Sequence, residues 1–361
     1  MFAIIKDSIM LVVGLMVIFL NVFNIFDQFA RGFNLGPILT GLIFVFSLMF
    51  VLQIISLPFS IYSTFVLEKK YGFNKTTVKT FILDMIKSLI LTIIIGSIVL
   101  AALLFFFEKA GGLAWLYAWG FIAIVQIILV VIAPVVIMPL FNKFVPLEEG
   151  ELKSEIEDFA KNNKFPLQGV YKMDGSKRST KSNAYFTGFG RFRRIVLFDT
   201  LIEKHSVQEL VSVLAHEIGH YKKKHIIKLM VFSILTLGLT LFLMSVFMKN
   251  PGLFAAFGVQ ELSIYVSLIL FSYIYLPLAL MLGIFSSHFS RKYEYEADRF
   301  AVETYKKPEV FISALKTLCR DNLANLTPHP LKVFLEYSHP PVLERIKAIN
   351  VLNVKNGELL K

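Results

Sequence analysis

Six apolar runs in this sequence are each long enough to cross a lipid bilayer: residues 8–26, 37–65, 80–107, 113–141, 227–248 and 262–286. About 20 apolar residues in a helix span the hydrocarbon layer. Backbone polar groups must be satisfied inside each crossing segment, so such a chain folds there as helices. Hydrophobic residues make up 56% of the chain and mean hydropathy is +0.66, which predicts a mainly α, multi-pass membrane protein. The second run exceeds what a bilayer needs and contains Pro58, so a kink or an extension past the membrane is expected. Gln53 and Gln126 are polar points inside their runs, expected to bond helix to helix rather than to a substrate. Asp84 and Lys87 lie close enough to the start of the third run to reach the interface. The first run follows Lys6 closely, with no small-residue cleavage site, and is expected to stay as an uncleaved anchor.

Charged residues fall to 17% and crowd outside these runs, giving a net charge of +11. No nucleic-acid motif accompanies that charge, so an anionic lipid face is the expected partner and nucleic acid is not. Lys69, Lys70, Lys75 and Lys79 collect between runs two and three, whereas Arg31, Lys109 and Lys249 are scattered over the alternate loops. The first group should therefore be cytoplasmic. With six crossings, the N-terminus, residues 142–226 and the C-terminal tail then share that face. Cys319 stands alone and excludes an intramolecular disulfide.

Within the segment 142–226, His216-Glu217-Ile218-Gly219-His220 is a His-Glu-x-x-His motif. On a helix it sets two imidazoles one turn apart on one face, a zinc-binding pair, with Glu217 beside the metal's open position as candidate general base. Ser206 and Glu209 read as a capping box, and Leu210, Val211, Leu214 and Ile218 mark the packed face. Downstream, Glu294 and Asp298 are again one turn apart. Glu294 can complete a site of two histidines and a carboxylate for one Zn²⁺, and Asp298 can accept the free ring N–H of a ligating histidine. Glu296 reads as a solvated face. His288, six residues before Glu294, falls on another helical face and is expected to support the site from behind its ligands or to be structural.

Around the motif, a polar helix near 148–163, strands near 168–173 and 193–198 and the motif helix predict a small α+β unit. The stretch Asn183–Gly190 reads either as an edge strand that holds a peptide by β-augmentation or as an ordinary hairpin. Lys222, Lys223, Lys224 and His225 read as a solvated cluster at the membrane surface. Tyr337-Ser338-His339-Pro340-Pro341 is a rigid turn opening a helix. From it His339 and Arg345 could reach an oxyanion or a peptide carboxylate, though a surface turn is the simpler reading. The layout expected is spans one to four over 1–141, the α+β segment over 142–226, spans five and six over 227–286, and a helical segment over 287–361 that completes the zinc site.

The runs Leu67–Lys75, Gly175–Ser179, Ser182–Phe186, Val213–His220, Arg291 with Glu294, Ala297 and Asp298, and Tyr337–Pro341 with Glu344 and Arg345 resemble the type I CAAX prenyl endopeptidases, integral-membrane zinc metalloproteases. The resemblance implies a helical barrel around a large chamber, with a gluzincin-like zinc domain on the cytoplasmic side. It also implies that His216, His220 and Glu294 bind zinc and that Glu217 activates water. Asn183 would then bind substrate backbone, and His339 and Arg345 would contact substrate or stabilise the transition state. The substrate implied is a prenylated protein ending in CAAX, which loses its last three residues; no oligomer is required. This chain has six spans where eukaryotic members have seven, and its tail lacks a KDEL-type signal. With its Lys-, Ile- and Phe-rich composition, this favours a bacterial plasma membrane over the ER. Misfolded, unmodified membrane proteins are the alternative substrate, in quality control. A transporter with a regulatory metal would need ionisable residues at the centre of the spans, which are nearly free of them.

Overall fold

The computed structural model of the chain describes residues 2–187, 193–248 and 250–358. The expectations touching Gly188–Gly190, Lys249 and the last three residues fall outside these. The chain divides into two units, one of Met1–Tyr71, Val78–Gln126 and Ile234–Ala279, the other of Gly72–Thr77, Ile127–Ser233 and Leu280–Lys361.

Among the described residues, six helices are long and apolar enough to cross a membrane: Phe2–Phe19, Pro37–Glu68, Val78–Lys109, Gly111–Phe141, His225–Phe247 and Ile264–Tyr305. Each answers one of the six apolar runs. Pro37–Glu68 has 32 residues, about 48 Å at 1.5 Å per residue, so it runs past a bilayer as its length predicted. Wide π-type turns at Ser63–Glu68 and Ala133–Ile137 follow Pro58 and enclose Pro134, each a residue with no N–H for the helix ladder.

In the first unit the first span ends earlier than its apolar run. Phe2–Phe19 stops ahead of Asn21, which takes the left-handed conformation that asparagine tolerates (φ 53°), and a separate helix follows at Val22–Arg31. That short helix buries Phe23, Asp27 and Ala30. Asp27 accepts hydrogen bonds from the Tyr265 hydroxyl (2.6 Å) and from Arg31 Nε (2.9 Å). Apolar periodicity misses this helix because its buried face carries a paired carboxylate. Gly258 (φ +66°) receives the Asn21 side chain, whose Oδ1 would collide with any Cβ placed there. Phe44, Leu104 and Leu270 form the packed core of this unit, while Ile4, Ile98, Leu235 and Val246 stay exposed, a surface that lipid would cover.

The second unit holds a four-stranded sheet of β1 (Phe144–Pro146), β2 (Gly169–Met173), β3 (Ala184–Thr187) and β4 (Arg194–Phe198), in the order β1-β2-β4-β3. β2 and β4 are parallel, and the outer strands pair antiparallel. β3 is thus an edge strand. β1, unforeseen from sequence, is three residues long with Pro146 at its end, where an edge tolerates proline. The polar helix is Glu151–Asn162, and the motif helix is Val207–Lys222. Its predicted capping box is present: Glu209 N–H donates to Ser206 Oγ (3.3 Å) and Ser206 N–H to Glu209 Oε2 (3.1 Å). The motif helix packs Leu210, Val211, Leu214 and Ile218 against Ile156, Phe165, Ile195 and Leu197, and Ala215 against Phe311 and Leu315 of the helix Pro308–Asp321.

Two runs distant in sequence meet here. Lys75 N–H donates to Arg178 O and Thr180 N–H to Phe73 O, both at 3.0 Å, around an Asn74–Ser179 bridge. The sixth span and the Glu294 segment, expected as separate helices, form one helix of 42 residues, Ile264–Tyr305. No glycine or proline lies between Gly283 and Pro308 to break it. It ends where Lys306 turns left-handed (φ 58°) ahead of Pro308.

Candidate metal centre

A helix with histidines at 216 and 220 gives each imidazole one nitrogen pointing outward on the same face, and the Ile264–Tyr305 helix brings Glu294 against them. His216 Nε2 lies 3.1 Å from His220 Nε2 and 3.5 Å from Glu294 Oε2, and His220 Nε2 lies 3.2 Å from Glu294 Oε1. Ligands bonded at 2.0–2.1 Å in a tetrahedron stand about 3.3 Å apart. His216 Nδ1 donates to Asp298 Oδ1 at 2.8 Å, so the Nε2 of neutral His216 is a lone pair. Glu294 Oε2 is buried with no hydrogen bond of regular geometry, its neighbours His216 Nε2 and Arg345 Nη1 lying 3.5 and 3.3 Å away. Two imidazole nitrogens and a carboxylate converging at this spacing are held together by a proton on His216 when no metal is bound, and with that proton displaced the donor set fits a divalent metal.

Close approach of the two helices depends on Gly219. A Cβ at this position would lie 3.0 Å from both Cα and O of Ala297 and 3.1 Å from Cβ of Phe300.

The electrostatics follow from burial and pairing. Burial alone would lower His216, but its hydrogen bonds to Asp298 and Glu294 outweigh that and lift it to about 9 in the metal-free protein. Burial would raise Glu294, yet His216, His220 and Arg345 hold it well below the usual carboxylate range. Asp298 is also held down, its burial overcome by the Arg345 charge and the His216 hydrogen bond. Glu217 is raised, mainly by burial. It has no hydrogen-bond or ion-pair partner among the described residues.

Glu217 lines a cavity of about 410 Å³ together with His216, His220, Glu294, His339 and Arg345, and Asn183 to Phe186 form another wall. Asp298 stands behind this wall on His216 and Arg345, so the residues proposed for the site lie together, but the roles open to them differ. Asn183 is exposed: its Oδ1 accepts from Ala184 N–H, and among the described residues nothing accepts from its amide NH₂. Ser182, just before it, is fastened to Asn322 by two hydrogen bonds. His339 is 66% exposed, with Nε2 3.4 Å from Glu294 Oε1. Arg345 is largely shielded and committed: Nε and Nη2 fork onto Asp298 at 2.8 and 2.5 Å, and Nη1 lies 3.3 Å from Glu294 Oε2. Its first task is to hold the acids, with one edge left toward the cavity.

Sequence reasoning gave no role to Arg291. Its Nη1 donates to the carbonyls of Val333 (2.9 Å) and Tyr337 (2.6 Å) and so pins the turn that presents His339. The signal available was its place three residues before Glu294, on the same side of the helix. Two readings are corrected. His225 is not in a solvated cluster but is buried, with Nδ1 3.1 Å from His220 Nδ1, and Glu296 is not merely a solvated face, because its Oε2 lies 3.1 Å from His225 Nε2. Lys222, Lys223 and Lys224 are exposed as expected, and His288 stands outside the site, also exposed.

Residues 1–143 match a family model described as the CAAX prenyl protease N-terminal region with five membrane helices, and residues 146–352 match peptidase family M48. Among the described residues within 1–143, four helices are long and apolar enough to cross a membrane, and Val22–Arg31 is a further, shorter one. A CAAX prenyl protease 1 homolog of Oryza sativa subsp. japonica is 40% identical over 87% of this chain and 74% of its own length. CAAX prenyl protease 1 of Saccharomyces cerevisiae is 41% identical over 84% and 70%, and the Homo sapiens homolog 37% over 90% and 77%. The crystal structure of S. mikatae Ste24p superposes with a TM-score of 0.92 at 37% identity, covering 97% of this chain and 86% of that one.

Proposed function

The chain belongs to peptidase family M48, and from that premise we propose that it is an integral-membrane zinc endopeptidase that removes the C-terminal tripeptide from prenylated CAAX proteins. One observation carries the reading: three buried or half-buried acceptors converge at metal-ligand spacing beside the unpaired Glu217, in a cavity walled by the edge strand β3. The names of the relatives supply the substrate class.

His216, His220 and Glu294 would hold the ion, and Asp298 would fix the His216 tautomer. When bound there, zinc supplies Lewis-acid polarisation of the scissile carbonyl and lowers the pKa of water from about 16 towards 7. A substrate segment lies along the free edge of β3, its backbone bonded by the strand and by the Asn183 amide. Glu217, raised by burial, takes a proton from the attacking water and returns it to the amide nitrogen as the C–N bond breaks. His339 donates to the oxygen that gains charge, and Arg345 contributes its positive field from beside Glu294.

We infer that this site faces the cytoplasm. The support is that Gly72–Thr77, part of the Lys69–Lys79 basic loop, pairs with residues 178–180 of the unit that carries the site.

The test is mass spectrometry of a farnesylated CAAX-ending peptide and its unprenylated twin after incubation with the purified, zinc-loaded protein. Release of the C-terminal tripeptide, faster from the farnesylated form, is expected. Equal cleavage of both would move the substrate to unmodified membrane proteins, and cleavage of neither would contradict the reading.

A further inference from the structure

The two candidate ligand histidines are supported differently. His216 gives its Nδ1 proton directly to Asp298, whereas His220 meets no carboxylate at that nitrogen. Its Nδ1 faces His225 Nδ1 at 3.1 Å, and His225 Nε2 faces Glu296 Oε2 at 3.1 Å. One assignment of protons gives every contact a donor and an acceptor. The ionised Glu296 can only accept, so His225 carries its proton on Nε2. Neutral His225 then accepts at Nδ1, which requires the proton of His220 on Nδ1 and frees the lone pair of His220 Nε2, the atom aimed at Glu294 and His216.

The His225 ring is held for this purpose from several directions. It stacks on Tyr293 with centroids 4.3 Å apart and planes 9° from parallel, and Lys228 Nζ lies 5.1 Å from that tyrosine's centroid. Tyr293 and Glu296 are three residues apart on one helix, so a single face supplies both the platform and the acceptor. Lys224, left-handed at φ 58°, is the link between the motif helix and the helix that opens with His225. His225 is 1% exposed, and a solvated interfacial histidine would need neither the burial nor the stack.

We propose that His225 and Glu296 are positioning residues of the metal centre, a carboxylate–imidazole chain that fixes the tautomer and ring plane of His220 so that its Nε2 is presented to the ion. The inference rests on the metal-site reading above and extends it by two residues outside the His-Glu-x-x-His and Glu-x-x-x-Asp motifs. It follows the general behaviour of metal-bound histidines, whose outer partner commonly sets affinity over about 10–100-fold.

The test measures Zn²⁺ affinity by competition with a chromophoric chelator, and the visible spectrum of the Co²⁺-loaded protein, in purified full-length wild type, His225→Phe, His225→Gln and Glu296→Ala. Phenylalanine keeps the stack on Tyr293 but removes the acceptor, and glutamine restores an acceptor oxygen. Loss of affinity by roughly 10–100-fold in His225→Phe, with an altered Co²⁺ spectrum, and substantial recovery in His225→Gln are expected. Glu296→Ala, at a side chain 32% exposed where truncation leaves no core cavity, is expected to weaken binding in the same direction. Equal impairment of His225→Phe and His225→Gln would overturn the proposal, as would His225→Phe binding with wild-type affinity or Glu296→Ala without effect. A wild-type protein that holds no Zn²⁺ would overturn the metal site itself and this inference with it.

Discussion

Gly219 and Ala297 are in backbone contact: a methyl group on Gly219 would meet Ala297 Cα and O at 3.0 Å. Those two residues lie beside His220 and Asp298, so the distance between their helices is also the distance across the metal site. Gly219→Ala should improve helix propensity by about 1 kcal/mol and lose more than it gains, because overpacking costs about 1–3 kcal/mol. Thermal unfolding of the purified protein should show a lower midpoint, and retained Zn²⁺ after dialysis should fall. A variant that holds metal normally would mean that the contact does not set the spacing.

Asp298 is shared between His216 and Arg345, and all three are mostly buried. Asp298→Asn removes the carboxylate that the guanidinium forks onto and leaves it only Glu294, a loss smaller than the about 3–5 kcal/mol of a fully broken buried pair. Arg345→Lys keeps the charge but cannot reproduce the two-pronged contact. Both variants should lose metal in dialysis, whereas an arginine that only touches substrate would raise KM in Arg345→Lys and leave metal content intact.

The raised His216 gives a pH signature. In metal-free protein its folded value of about 9 lies above the usual 6.5, so its stabilising contribution is complete below pH 6.5 and is lost as pH rises to about 9. The metal must displace that proton, so apparent affinity should rise between pH 7 and 9 and then level. Unfolding midpoints of EDTA-treated protein should fall across that window while those of Zn²⁺-loaded protein do not. Parallel curves would contradict the assignment.

His339 is exposed, and no packing depends on its ring. His339→Ala should lower kcat and leave Zn²⁺ content and the unfolding midpoint unchanged. Arg291→Ala, which frees the turn from the carbonyls of Val333 and Tyr337, should lower kcat in the same way and also reduce the midpoint. Metal loss in His339→Ala would instead make it a ligand.

Much of this was legible in the chain because local rules govern it. The six membrane helices follow from apolar length, the motif helix from its capping box and periodicity, and the pairing of Glu294 and Asp298 from one-turn spacing. What was not legible depends on long-range partners. His225 is read as solvated from its neighbours Lys222–Lys224, since nothing local announces Glu296, 71 residues away. The Val22–Arg31 helix straddles the end of an apolar run and goes unread because its buried Asp27 is satisfied by Tyr265, 238 residues on. The continuity of Ile264–Tyr305 was readable in principle from the absence of a breaker before Pro308, but the shift from apolar to charged residues masked it.

The central claim is that Glu217 moves the proton in peptide-bond cleavage while His216, His220 and Glu294 alone hold the ion. It is tested most directly by Glu217→Gln, which preserves shape and removes the base, assayed for tripeptide release from a farnesylated CAAX-ending peptide with bound Zn²⁺ measured in the same sample. One Zn²⁺ per chain, as in wild type, and no turnover above background are expected. Turnover comparable to wild type, or loss of the ion along with activity, would contradict it.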